Sequence, residues 1–188
     1  ILGLGASGVA AARLALSRGE NVYVSDLQTH AQARARGADL RALGADVDVG
    51  SHDVARIAGA DTVVVSPGIP PDAPVLRQLA ERGVRWVSEP EYAARFLDGA
   101  LSAVTGTKGK TTTVLLVHHL LESASIDAAV GGNVGGGFAP AAAEMAIERP
   151  GAAWYVLELS SYQLADIDRL APDIGVLTNL APDHLDRY

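Results

Sequence analysis

The chain has 188 residues, 48% of them hydrophobic, enough for one large or two small domains, and no apolar run nears the roughly 20 residues that a membrane span requires. Its 22 acidic residues outnumber 15 scattered Lys and Arg, so the net charge of −7 argues against a broad nucleic-acid surface. The absence of cysteine excludes disulfides and thiolate metal sites and fits a cytoplasmic protein.

Ile1 stands in what reads as mid-strand with no initiating Met, so a preceding piece of chain is expected. Gly3-Leu4-Gly5-Ala6-Ser7-Gly8 then matches G-x-G-x-x-G between that strand and a helix predicted over residues 9–18. Alone the motif serves close helix–strand packing as readily as a nucleotide. Its context adds weight: a second strand over 21–25 ends in Asp26, near where a dinucleotide fold places the acid that takes a ribose hydroxyl. The alternation continues with a helix over 31–43, a short strand near Val47 and an apolar β-rich run over 62–65. Pro67 and Gly68 turn the chain there, leaving Ser66 and the Gly68 N–H at the carboxyl edge of the sheet, where open α/β folds bind ligands. A helix over 73–82, a strand over 84–87 and a short helix over 91–96 complete a βα unit of residues 1–97, with Asp98-Gly99 as linker.

The second unit, 98–188, opens on a buried strand over 101–104 that breaks into Thr105-Gly106-Thr107-Lys108-Gly109-Lys110-Thr111-Thr112-Thr113 and then a helix. Val104 stands where the long G-x-x-x-x-G-K-T form requires glycine, so the loop is the compact Thr-Gly-Thr-Lys-Gly-Lys-Thr variant. A helix N-terminus offers unsatisfied N–H donors and about half a positive charge, which suits a polyphosphate. Lys110 adds a full charge, and Thr111 offers a hydroxyl to a phosphate-bridging Mg²⁺. A strand over 128–130 leads to a glycine-rich loop whose Asn133 has both donor and acceptor. A strand over 154–157 ends in Glu158, the position from which a carboxylate holds a nucleotide's Mg²⁺ beside a phosphate loop. A strand over 174–177 is followed by Asn179 and by His184, a candidate metal or phosphate ligand, whereas His118 and His119 read as helix-surface or packing residues.

Taken together, these motifs resemble the Mur ligase family of peptidoglycan-precursor enzymes along nearly the whole chain. The resemblance rests on residues 105–113, Gly132-Asn133-Val134-Gly135 and Asp183-His184-Leu185-Asp186-Arg187-Tyr188, and Glu158-Leu159-Ser160-Ser161-Tyr162-Gln163-Leu164 narrows it to the D-glutamate-adding branch. It implies an α/β fold with a Rossmann-like domain that binds a UDP-substrate rather than NAD, then an incomplete P-loop ATP-binding domain. Ala6, Ser7, Asp26, Ser66, Pro67 and Gly68 match the UDP site, and Asn133, Gln163 and His184 match positions facing the muramoyl end. Gly106, Thr107, Lys108, Gly109, Lys110, Thr111 and Thr112 match the ATP loop, Thr111, Glu158 and His184 the Mg²⁺ ligands, and Lys110, Glu158 and His184 the catalytic set. Lys108 stands where relatives often carry Asn, and Gln28 where an Arg contacts the nucleotide.

The implied substrates are UDP-N-acetylmuramoyl-L-alanine, D-glutamate and ATP, joined through an acyl phosphate by a monomer that engages neither nucleic acid nor membrane. The resemblance further implies a third, amino-acid-binding domain and a modified lysine outside residues 1–188, so the chain alone is expected to bind without catalysing and to leave apolar surface uncovered near 174–177. Another Mur ligase, a folylpolyglutamate synthase and a non-catalytic dinucleotide-binding module are the rival readings.

Overall fold

A computed structural model describes every residue except 135–137, 184 and 186–188. The first unit comprises α1 (Ala6–Ser17), β1 (Tyr23–Asp26), α2 (Ala31–Ala42), β2 (Asp46–Val49), α3 (Val54–Ala58), β3 (Val64–Val65), α4 (Pro74–Glu81), β4 (Val87–Ser88) and α5 (Glu89–Ala94). β1 pairs with β2 and β3 with β4, all parallel, and Leu2 bridges β1 at Ser25 and β3 at Val65. The opening residues therefore supply the central position of a single parallel layer, with the glycine-rich turn leaving it at its carboxyl edge.

Gly8 explains the closeness of α1 to this layer: a Cβ there would stand 2.0 Å from the Gly3 carbonyl oxygen and 2.8 Å from Ser66 Oγ. Gly3 has φ +100°, a left-handed conformation that favours glycine. Ala10, Ala11, Ala12, Leu14 and Ala15 form the buried face of the helix.

The second unit runs β5 (Ala100–Thr105), α6 (Lys110–Ser123), β6 (Ala128–Gly132), α7 (Ala142–Glu148), β7 (Trp154–Glu158), α8 (Ser161–Leu164) and β8 (Ile174–Leu177). Its four parallel strands stand in the order β6-β7-β5-β8, the arrangement expected when each strand returns through a crossover. The register sets Gly132 against Glu158, Val104 against Glu158 and Thr105 against Leu177, so all four strand tips reach one edge together. On β8, Ile174 and Leu177 are exposed.

The two sheets share one hydrophobic cluster, in which Leu4, Leu14 and Tyr92 of the first unit are joined by Met145, Tyr155 and Leu157 of the second. Two buried carboxylates of α5 reinforce the junction. Glu89 accepts the N–H of Ala143 at the start of α7. Glu91 Oε2 accepts three successive backbone N–H groups, from Asp168, Arg169 and Leu170, at 3.2, 3.1 and 2.7 Å.

Several elements depart from the sequence reading. The strands expected over 62–65 and 84–87 shorten to two residues each, and α5 starts at Glu89 rather than residue 91. Helices α3, α7 and α8 were not expected. α8 carries a capping box between Ser160 and Gln163, and α3 is capped by Asp53, whose Oδ1 accepts the Arg56 N–H; both are short helices held by end chemistry rather than by apolar periodicity.

Candidate functional site

Two cavities open at the carboxyl edges of the two sheets, and Pro67 and Gly68 line both. The first, of about 580 Å³, is walled by the glycine-rich turn, the end of β1, α2 and the turn after β3. Ala6, Ser7, Asp26, Ser66, Pro67 and Gly68, all expected at a nucleotide site, line it. Asp26 does more than face the space. Its Oδ2 accepts the Leu4 N–H at 2.6 Å and its Oδ1 the Gln28 N–H at 2.8 Å, so the carboxylate also fixes the turn that shapes the cavity. Ser66 is buried, and among the described residues its Oγ has no hydrogen-bond partner, an unsatisfied polar atom close behind the cavity wall. Gly5 caps α1 without a side-chain bond, so the first N–H groups of that helix remain available.

Arg36 and His52 also line this cavity, and the sequence reading singled out neither. Arg36 Nη1 donates to the Leu4 carbonyl at 2.9 Å, and His52 Nδ1 stands 2.8 Å from the buried Ser25 Oγ. Burial lowers the His52 pKa below the ordinary imidazole value while nearby Asp26 acts in the opposite direction.

The second cavity, of about 510 Å³, is lined by Thr105, Gly106, Thr107, Lys110, Asn133, Ser160, Ser161 and Tyr162 among others. The phosphate loop has two left-handed glycines, Gly106 at φ +132° and Gly109 at φ +83°, the latter at the N-cap of α6. Gly106 admits no side chain, because a Cβ would lie 2.2 Å from Thr178 Oγ1. Lys110 Nζ donates to the carbonyls of Gly106 and Thr107 at 2.7 and 3.2 Å, which holds its charge over the loop's concave face. Lys108 and Thr112 are exposed and do not line the cavity.

The segment after β8 grips the tip of this loop. Asn179 Oδ1 accepts the Lys108 N–H at 3.1 Å and Asn179 Nδ2 donates to the Lys108 carbonyl at 2.9 Å, while its backbone carbonyl accepts the Thr107 N–H. Thr178 Oγ1 donates to the Lys108 carbonyl at 2.7 Å. The sequence signal was a polar residue close to a strand tip: Asn179 stands two residues past β8, as Asp26 and Glu158 stand at the ends of β1 and β7.

Behind the loop, Thr111 Oγ1 donates to Glu158 Oε2 at 2.7 Å. The Asn133 N–H donates to the Glu158 carbonyl at 2.9 Å, so β6 and β7 lock this tip from the other side. A hydroxyl and a carboxylate side by side at a phosphate loop are hard oxygen donors of the kind Mg²⁺ takes, with phosphate oxygens and water completing its shell. Among the described residues no cluster of three or more His, Cys, Asp or Glu stands in reach of one metal ion. His184, expected in this set, lies outside the described residues.

Gln163 is buried, and its Oε1 accepts from the Ser160 N–H at 2.9 Å and from Ser160 Oγ at 3.1 Å in the cap of α8. Its neighbours Ser160, Ser161, Tyr162 and Leu164 line the cavity.

Residues 1–88 match the family described as Mur ligase MurD-like, N-terminal domain, and residues 104–188 match the Mur ligase middle domain. A UDP-N-acetylmuramoylalanine--D-glutamate ligase of Desulfatibacillum aliphaticivorans is 39% identical over 187 residues, covering 100% of this chain and 41% of that protein. The protein of the same name from Acidobacterium capsulatum is 43% identical over 191 residues, covering 100% of this chain and 40% of its own length. The chain thus spans about two-fifths of the length of these relatives.

Among solved structures, the UDP-N-acetylmuramate–alanine ligase MurC of Thermotoga maritima superposes with a TM-score of 0.53 at 26% identity, covering 100% of this chain and 42% of that one. A UDP-N-acetylmuramate:L-alanyl-gamma-D-glutamyl-meso-diaminopimelate ligase of Neisseria meningitides shares the fold, with a TM-score of 0.60 at 23% identity, covering 100% and 61%. With a MurD-like amino-terminal domain leading into the family's middle domain and phosphate loop, the chain belongs to the Mur ligase family.

Proposed function

We propose that residues 1–188 are the UDP-substrate-binding and ATP-binding part of a cytoplasmic ligase that adds D-glutamate to UDP-N-acetylmuramoyl-L-alanine at the cost of ATP. The observation that carries this reading is the shared wall at Pro67 and Gly68, across which a nucleotide-sized cavity adjoins a phosphate-loop cavity. A single elongated substrate anchored by its nucleotide in the first cavity can thereby present its far end to ATP in the second.

The chemistry follows from what a carboxylate lacks. It is a poor acylating agent, so the alanyl carboxylate of the substrate attacks the γ-phosphorus of ATP, giving an acyl phosphate and ADP. The amine of D-glutamate then attacks the acyl carbon, phosphate leaves with the C–O bonding pair, and the amine nitrogen loses its proton. Positioning and charge stabilisation supply most catalysis of such phosphoryl transfers. In this proposal the N–H groups at the start of α6 bind the phosphates, and Lys110 turns from the Gly106 and Thr107 carbonyls to the transferring group. Thr111 and Glu158 would hold Mg²⁺, which when bound neutralises charge on the phosphates. Asn133, on the cavity wall, orients the muramoyl end. The D-glutamate site is assigned to a part of the polypeptide beyond these residues.

A thermal-shift comparison tests the reading. UDP-N-acetylmuramoyl-L-alanine and Mg·ATP are each expected to raise the unfolding temperature, and NAD to leave it unchanged. Stabilisation by NAD alone would sink the proposal and favour a dinucleotide-binding module.

A further inference from the structure

The first cavity contains a cation that nothing above employs. Arg36 lies on α2, half-buried, with Nη1 donating to the Leu4 carbonyl at 2.9 Å. The Leu4 N–H donates in turn to Asp26 Oδ2 at 2.6 Å. A guanidinium and a carboxylate therefore bracket one residue of the glycine-rich turn, and both line the cavity.

Among the described lining residues Arg36 is the sole lysine or arginine, and it takes part in no ion pair with a described residue. The two cavity histidines are already engaged through Nδ1, His30 accepting the Ala33 N–H and His52 meeting Ser25. Tethered by one hydrogen bond, the Arg36 guanidinium keeps four N–H donors and its flat faces for a ligand.

Pro67 and Gly68 are the part of the wall shared with the second cavity, and the uncapped start of α1 offers neutral N–H donors suited to a diphosphate. Asp26, Leu4 and Arg36 line the first cavity only. A nucleotide whose diphosphate points toward the phosphate loop turns its base to the residues that line the first cavity only. There Arg36 brings the free N–H donors, since the Leu4 N–H is already bonded to Asp26. Uracil presents carbonyl acceptors at both C2 and C4, whereas cytosine presents an amino donor at C4, which would oppose a guanidinium N–H and leave both groups unpaired.

Resting on the nucleotide reading proposed above, we propose that Arg36 is a specificity-determining residue that donates to the C4 carbonyl of the base and so selects a uridine over a cytidine nucleotide. Calorimetric titrations of this chain with UDP, CDP and uridine, on wild type, Arg36→Met and Arg36→Lys, test it. Wild type is expected to prefer UDP to CDP. Arg36→Met should lose about tenfold in UDP affinity and by a similar factor for uridine, with the UDP-to-CDP ratio falling toward one. Arg36→Lys, which keeps the charge but not the planar fork, should lose the ratio as well, and it supplies the same reading should the methionine variant fail to fold. An unchanged ratio in a folded variant overturns the proposal. So does a loss confined to UDP with uridine unaffected, which would make Arg36 a diphosphate contact. A wild type that binds no UDP refutes the nucleotide reading itself, whereas UDP binding that is indifferent to Arg36 refutes only this inference.

Discussion

Thr111 and Glu158 meet through a 2.7 Å hydrogen bond although 47 residues separate them in sequence, because the parallel register of β5 and β7 sets Val104 beside Glu158 and so brings the β7 tip under the phosphate loop. Glu158→Gln keeps the shape and an oxygen for Thr111 but removes the charge. Calorimetry should show Mg·ATP affinity falling at least about tenfold, on the scale of about 1.5–3 kcal/mol for a hydrogen bond to a charged group, with UDP-substrate affinity unchanged. Retention of wild-type Mg·ATP binding would make the carboxylate a bystander.

Asn179 holds the Lys108 peptide by two side-chain bonds. Asn179→Ala removes both, at about 0.5–1.5 kcal/mol each, and the loosened loop tip should weaken ATP binding by up to roughly 5- to 150-fold. Binding in the first cavity is expected to remain at the wild-type level, and an equal loss of UDP and ATP affinity would indicate general unfolding rather than a local clamp.

The glycines of the amino-terminal turn should not be equivalent. Gly8→Ala drives a Cβ to 2.0 Å from the Gly3 carbonyl and into Ser66, so α1 must shift at a cost of about 1–3 kcal/mol in urea unfolding. Gly5→Ala meets nothing within 4 Å and should change stability by less than about 1 kcal/mol. Equal effects at the two positions would refute the packing account of the motif.

Glu89 sits buried at the junction of the two units, and desolvation raises its pKa from 4.5 to about 7, assisted by the charge of Glu144 and opposed by the Ala143 N–H. Between these values the folded chain binds the proton that the unfolded chain has released. Its contribution to stability is therefore fully present below pH 4.5 and is lost as pH rises through about 7. Chemical unfolding of wild type at pH 5 and pH 8 should differ by roughly 1–3 kcal/mol more than in Glu89→Gln, which cannot ionise and keeps an oxygen for Ala143. A variant whose pH profile parallels that of wild type would place the titration elsewhere.

Local chemistry made much of this molecule legible from its residues. The alternation of β-rich runs with helical stretches gave the parallel α/β layers, and Gly106, Gly109 and Lys110 marked a phosphate loop because few other sequences tolerate two left-handed turns ahead of a helix that starts with a lysine. Asp26 and Glu158 stood out as acids at strand ends. What the residues could not decide was adjacency. Whether the Glu158 tip or the Leu177 tip lies beside the loop strand depends on sheet order, a product of long-range pairing, and in fact both do, one on each side. The grip of Asn179 on Lys108, the bracketing of Leu4 by Asp26 and Arg36, and the wall that Pro67 and Gly68 give to both cavities all follow from that order and from the packing of α7 against the first unit. Gln163 marks the boundary between the two kinds of information: Ser160-x-x-Gln163 has the spacing of a capping box in the sequence itself, yet only the folded chain decided that a helix would start there and engage its amide oxygen.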